Sequence, residues 1–428
     1  MTGRPTHTRI LLASFVGTGI EFYDFYIYAT AASLVFGQIF FASSSPGVQQ
    51  LAAFATLAVA FFARPVGAAA FGHFGDRIGR KSTLVASLLT MGISTTLVAF
   101  LPTYASAGWV APLALCVLRF GQGFGLGGEW GGAALLAVEN APPGWRARYG
   151  SAPQMGAPAG FLAANGLFLL LGVWLTPQQF LDWGWRIPFL TSAALVGVGL
   201  WIRLKLTETP AFAAVLAEGK PPNVPFAELI RGHGGMTLVA TLGAVACFAV
   251  YYIATAFALG YGTKTLGYGM QQFLGVQLGA ILFMAVGIYL SAWLADRHFG
   301  ERKVLMAGCA GVVLAGFVMA PLMGSGSLGE VFVFLALLLF LMGFVYGPLG
   351  GWIPTLFPAR VRYTGASIAF NVAGVIGGGL TPLIAQSLAL RGGLALVGLY
   401  LSGAALLSFA GLWSVRDRAG AEPLFLEP

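Results

Sequence analysis

Apolar runs of about 20 residues recur along the whole chain, separated by short polar joints, and each run is long enough to cross a bilayer as a helix. The pattern predicts twelve spans, at roughly 10–40, 52–71, 82–102, 110–138, 149–175, 185–204, 236–262, 271–294, 304–323, 330–356, 364–390 and 393–414. The longer ones must tilt or emerge into the interface. The longest polar stretch, 205–235, contains LTETPAF, GKPPNVP and RGHGG and divides the spans six and six. It is too short to fold as a domain. The expected fold is an all-α polytopic membrane protein: a six-helix bundle at 1–204, a cytoplasmic loop at 205–235 and a second bundle at 236–428.

Composition agrees with this pattern. The 428 residues are 57% hydrophobic and 9% charged, with mean hydropathy +0.82, whereas a soluble domain carries about a quarter charged residues. Charge placement then sets orientation. An even number of spans puts both termini on one side, which collects 18 of the 23 Lys and Arg residues; the other side has Arg186, Lys264 and Arg391. The positive-inside rule makes the crowded side, and both termini, cytoplasmic. The net charge of +8 is therefore a topology signal, and no nucleic-acid partner is expected, because that would need a basic soluble surface. Cys116, Cys247 and Cys309 each lie alone in a predicted helix, without metal or disulfide spacing. The chain has no GxSxG, HExxH or P-loop pattern, so neither an enzyme nor a cofactor is expected. The short basic N-terminus runs into the first span with no small-residue cleavage site and reads as a retained helix.

The two halves echo each other. GHFGDRIGRK (72–81) joins spans two and three, and LADRHFGERK (294–303) joins spans eight and nine, with Asp296 standing 220 positions after Asp76. RARYGSA (146–152) opens span five and RVRYTGAS (360–367) opens span eleven. Two similar six-helix halves with a site between them at mid-depth is a secondary-transporter layout.

These motifs resemble the major facilitator superfamily: GDRIGRK is similar to its cytoplasmic loop motif, and RFGQG (119–123) to its span-four motif. Longer strings, among them GTGIEFYDFYIYA, ARPVGAAAFGHFGDRIGRK, RFGQGFGLGGEWGGA, ETPAF and LFPARVRYTGAS, resemble the metabolite:proton symporter family over nearly the whole chain. The resemblance implies uptake of a small organic acid or zwitterion across a bacterial inner membrane by alternating access, driven by a proton gradient, with sodium as the second choice of ion. It also implies a monomer whose partners are the substrate and the bilayer. QMGAPAGF (154–161) partly matches the span-five motif of superfamily antiporters, so a proton-coupled exporter is the alternative. The end at 415–428 is short and has no heptads, unlike the coiled-coil tails of osmosensing members.

Charges inside the spans carry the chemistry. A helical projection puts Gly17, Glu21, Asp24 and Tyr28 within about 60° of one another, with both carboxylates near mid-bilayer. An ionised carboxylate there costs several kcal/mol unless paired, hydrated or protonated. Like charges at i, i+3 raise at least one of the two pKa values, as a proton carrier needs. Arg119 on span four, at similar depth, must keep its proton and needs an anion. It is expected to pair with Asp24 when empty and to release it to bind a substrate carboxylate, an exchange that would couple the two bindings. Arg64 is expected near the inner mouth, as structure or as an anion site. Glu129, about 15 Å along the helix from Arg119, reads as structural or gating, and its face includes Gln122.

A cytoplasmic latch is expected from Asp76, Arg77 and Arg80 meeting Arg360 or Arg362, mirrored by Asp296 and Arg297 meeting Arg146 or Arg148, with Glu139 adding a pair. Neutral candidates for the substrate are Gln154 and Asn165 on span five, and Tyr251, Tyr252, Gln277, Tyr346, Trp352 and Asn371 in the second half. No Lys or Arg is expected inside spans seven to twelve, which favours a monoanion or zwitterion, such as a shikimate-like polyol acid, over a tricarboxylate.

Overall fold

The structure, a computed structural model, describes residues 7–42, 44–78, 80–127, 129–204, 225–358 and 361–415; side chains at 7–10, 13, 72–84, 129, 136, 202–204, 225–228 and 230 lie outside the description. Among the described residues the chain runs as twelve long helical segments with no strand. The first half comprises α1 (His7–Ala31, running on to Phe40), α2 (Pro46–Ile78), α3 (Arg80–Leu97), α4 (Val110–Leu126, then Glu129–Glu139), α5 (Arg146–Ser151, then Gly156–Trp174) and α6 (Ile187–Leu204). The second comprises α7 (Pro225–Tyr252, running on to Lys264), α8 (Met270–Leu294), α9 (Glu301–Met323), α10 (Leu328–Tyr346, then Leu349–Thr355), α11 (Arg362–Gly374, continuing beyond Thr381) and α12 (residues 394–414).

The start of the seventh helix differs from the sequence pattern, whereas the break between the last two spans falls where the pattern puts it. The stretch from 225, read as loop, is helical up to a break at His233, where flanking glycines offer no side-chain packing to hold a straight helix. The run Thr381–Ser414 is divided by non-helical Gly392 and Gly393, the latter at φ 69°. Thr381 Oγ1 and Tyr400 OH meet at 2.7 Å, although 19 residues of straight helix would hold them about 28 Å apart. The chain therefore doubles back there into α12.

Packing repeats between the halves. In the first half α1 packs on α5, α2 on α4 and α3 on α6; in the second α7 packs on α11, α8 on α10 and α9 on α12. Glycine sets the closest approaches. A Cβ on Gly67 would stand 1.9 Å from the Phe124 carbonyl oxygen, and one on Gly123 would stand 2.1 Å from that of Ala60, so α2 and α4 touch backbone to backbone. Gly287 and Gly343, each 220 positions later, do the same for α8 and α10. Large apolar side chains such as Phe100, Leu314, Phe317 and Trp413 point outward, as expected of a bundle surrounded by hydrocarbon.

Candidate functional site

The charge inside the scaffold breaks its symmetry. Arg64, Arg119 and Asp24 sit in the first half, while the residues 220 positions later are Met284, Leu339 and Ala244, all wholly buried and apolar. Gly67, Gly123 and Gly127 press α2 onto α4 and so bring Arg64 and Arg119 together. Both guanidiniums lie over the ring of Phe25 on α1, with Cζ 4.4 Å and 4.3 Å from its centre. Arg64 also covers Phe61 at 4.6 Å, and Arg119 covers Tyr28 at 3.9 Å. Cation–π contacts of this kind stabilise a desolvated cation by about 2 kcal/mol. That is less than burial of the charge costs.

Arg119 is wholly buried. Its Nη1 donates to Gln122 Oε1. Nε and Nη2, the edge that takes a carboxylate in bidentate fashion, make no hydrogen bond among the described residues, nor does Nε of Arg64. The sequence expectation that Arg119 pairs with Asp24 is thus corrected: Gln122, one turn along α4, takes the guanidinium instead. Its amide then donates to the Asp24 backbone carbonyl at 3.0 Å and to Thr95 Oγ1 at 2.9 Å, locking α4 to α1 and α3. Asp24 is wholly buried. Tyr28 turns into the first bundle, donating to Thr56 Oγ1 at 2.7 Å. Glu21, half-buried, instead interacts electrostatically with Arg64 and Tyr346, at the seam between the halves. Arg64, expected at the inner mouth, reaches the central aromatic cluster because Phe25 and Phe61 offer it ring faces.

The neutral candidates divide into three groups. Asn165, Gln277 and Tyr251 line a small cavity between the halves together with Tyr26, Thr30 and Thr255. Its free space is about 10 Å³, room for one water molecule. Gln154 and Asn371 instead bond across the seam. Gln154 donates to the Tyr346 carbonyl at 3.3 Å, and Asn371 to the Gly127 carbonyl at 2.9 Å. Beside them Trp130 stacks on Phe370 with ring centres 3.6 Å apart. Tyr252 packs edge-on to Phe25 and Phe61. Trp352 is the exception among the expected contacts: its ring lies across Gly243 of α7, inside the second half and away from the cavity, because Gly243 leaves room for it there.

Both ends of the seam are closed. At the basic end Asp296 accepts from Ala147 N (2.8 Å), Arg148 N (3.0 Å) and Arg148 Nε (2.8 Å), capping the helix start that opens α5. Arg146 is held bidentately by Glu301, at 2.7 and 3.0 Å. Glu301 was not among the sequence candidates; its place in the first turn of α9, just after the Asp296 loop, was the available signal. Arg297 and Glu139 are exposed, and Arg297 makes no ion pair among the described residues. Arg362 donates to the Phe357 carbonyl of its own loop at 3.2 Å. The side chains of Asp76, Arg77, Arg80 and Glu129, and Arg360 altogether, lie outside the described residues. At the opposite end Lys264 bonds Gln50, Gln271 bonds the Gly172 carbonyl, and Ser33 donates to the Ala256 carbonyl at 2.9 Å. Ser33 and Ala256 lie in π-helical turns, Ala32–Phe36 and Ile253–Phe257, that interrupt α1 and α7 at matching places. Such turns weaken a helix locally and recur at functional sites.

Comparison with known proteins identifies the family. A family model described as Major Facilitator Superfamily matches residues 14–382. The chain is 49% identical over 412 residues to the inner membrane metabolite transport protein YhjE of Escherichia coli (strain K12), covering 95% of this chain and 93% of that one. It is 40% identical over 389 residues to the shikimate transporter of the same organism, covering 89% and 87%. A partially occluded inward-open structure of the xylose transporter XylE from E. coli superposes with TM-score 0.76 at 16% identity, over 97% of this chain and 99% of that one. That last likeness speaks for the fold alone.

Proposed function

The chain belongs to the major facilitator superfamily, as a multi-pass membrane transporter and not an enzyme, and we propose that it takes up a small organic acid or zwitterion together with a proton. The single observation that carries this reading is the pair of guanidiniums against Phe25, where buried Nε and Nη2 of Arg119 and Nε of Arg64 lack hydrogen-bond partners among the described residues. Buried donors of that kind call for an anion. Asp24 supplies a buried carboxylate on the neighbouring helix, and Gln122, which holds Arg119, ties that helix at the Asp24 backbone carbonyl. A substrate carboxylate at the guanidiniums draws their field away from Asp24, which then takes a proton more readily. The two bindings help each other, and that reciprocity is coupling. The relative named as a shikimate transporter supports an acid as cargo.

The seam does the transport. In this structure both ends are shut, so cargo enters when the Lys264–Gln50 end parts and leaves when the Asp296–Arg148 and Glu301–Arg146 pairs break. The basic loops at that second end face the cytoplasm by the positive-inside rule. The test is reconstitution in liposomes with a pH dye inside and single metabolites added outside. Inward acidification with one acid, lost in Asp24→Asn while substrate exchange without a gradient persists, is the expected result. Sodium-dependent uptake without acidification, or acidification unchanged in Asp24→Asn, would overturn proton coupling through this residue.

A further inference from the structure

We infer that the cavity between Asn165 and Gln277 is a hydroxyl-recognising subsite, so that the cargo is a hydroxylated carboxylate and not a betaine or an apolar acid; this rests on the organic-acid reading above. The cavity is lined from both halves: Tyr26, Thr30 and Asn165 from one, Tyr251, Thr255 and Gln277 from the other. Two amides there are each 1% exposed and only half satisfied. Gln277 Nε2 donates to the carbonyls of Ala254 and Thr255, both at 2.9 Å. Two carbonyl partners fix that amide's orientation, so its Oε1 is an acceptor, and it has no hydrogen-bond partner among the described residues. Asn165 Oδ1 accepts from Thr30 Oγ1 at 2.5 Å, which leaves its Nδ2 as a donor, likewise without a partner among the described residues. The two amides thus offer one uncharged acceptor and one uncharged donor, beside the Tyr251 hydroxyl, which also lacks a hydrogen-bond partner among the described residues. A hydroxyl group answers both, since it donates and accepts at once. A quaternary ammonium answers neither.

The subsite is joined to the guanidiniums by an aromatic wall. Phe25, which carries both arginines, meets Tyr252 edge-on at 6.3 Å; Tyr252 meets Tyr251 at 5.5 Å; and Tyr251 stacks on Tyr26 at 5.0 Å, at the cavity. Tyr26 in turn acts electrostatically on Arg64. A small ring bearing a carboxylate at one end and hydroxyls at the other fits this order of chemistry: anion site, aromatic wall, neutral hydrogen-bonding groups. No described Lys, Arg, Asp or Glu lines the cavity, which excludes a second charge at that end.

The experiment is equilibrium binding to the purified full-length protein in detergent, without any gradient, so that proton coupling does not enter. The probes are shikimate, its hydroxyl-free counterpart cyclohex-1-ene-1-carboxylate, and glycine betaine. Wild type should prefer shikimate over the hydroxyl-free acid by at least about tenfold, because the acid without hydroxyls leaves both amides unanswered. Gln277→Leu should erase that preference while leaving affinity for the hydroxyl-free acid within about twofold. Equal binding of the two acids by wild type overturns the inference and leaves the organic-acid reading standing. Binding of glycine betaine alone overturns the inference and leaves only a zwitterion within the proposed function, and binding of none of the three probes overturns both. An equal loss for both acids in Gln277→Leu, with a normal size-exclusion profile, assigns the amide to packing and overturns the subsite. The wild-type comparison decides even if that variant fails to fold.

Discussion

Replacing Asp296 by Asn changes one oxygen for an amide in a side chain that is 4% exposed. The carboxylate accepts three hydrogen bonds, two from backbone N–H groups at a helix start and one from the Arg148 guanidinium. The Asn amide keeps the shape, removes the charge and turns an N–H₂ group toward donors. Charge-assisted hydrogen bonds contribute about 1.5–3 kcal/mol each, and a charge at a helix start about 0.3–1. Because Asn keeps one acceptor, the net loss should be about 2–3 kcal/mol. Asp296 belongs to one half and Arg148 to the other, so the loss falls only on the state in which the basic end is shut. The open fraction should therefore rise about 30- to 150-fold. Ser367, 3% exposed and packed against Gly131 across the seam, reports this. In a background with Cys116, Cys247 and Cys309 replaced by Ala, a cysteine placed by Ser367→Cys should react with a water-soluble maleimide in proportion to that fraction. Asp296→Asn should accelerate labelling by at least about tenfold, short of saturation. Either Arg146→Glu or Glu301→Arg alone should do the same, and the two together should restore slow labelling. A rate in Asp296→Asn within twofold of the parent would refute the latch.

Two further changes test the interior. Arg119→Lys keeps the charge but removes the planar bidentate edge that faces inward beside Phe25; substrate affinity should fall at least about 30-fold, read by ligand-induced thermal shift. Gly123→Ala would set a Cβ 2.1 Å from the Ala60 carbonyl oxygen, forcing α2 off α4 at a cost of about 1–3 kcal/mol. The melting temperature should drop by several degrees and transport should fall, since the same contact aligns Arg64 with Arg119; an unchanged melting temperature would show that the helices part freely there.

Span count, the two-half repeat and the identity of the interior charges were legible in the sequence, for one physical reason. Hydrocarbon tolerates neither unsatisfied backbone nor unexplained charge, so length, hydropathy and a handful of polar residues leave few alternatives. The 220-residue offset marked Asp76 and Asp296 as counterparts, and the 18 basic residues gathered on one side identified the loops that belong together.

Side-chain partners depend on distances that no spacing along the chain encodes. A helical projection grouped Glu21 with Asp24, yet tertiary packing buried Asp24 wholly and left Glu21 half-buried beside Arg64 at the seam. Arg119 was legible as a buried cation, but that Gln122 and not Asp24 holds it was decided in the bundle, where glycines bring α4 against α2 and α3. Trp352 looked like a contact for cargo until Gly243 gave it a slot inside its own half. The Glu301–Arg146 pair and the Asn165–Gln277 cavity join residues more than 100 positions apart, drawn from opposite bundles. The sequence by itself determined which groups the membrane would have to accommodate. Only the meeting of the two halves decided which of them face each other, because that depends on close packing across a surface neither half possesses alone.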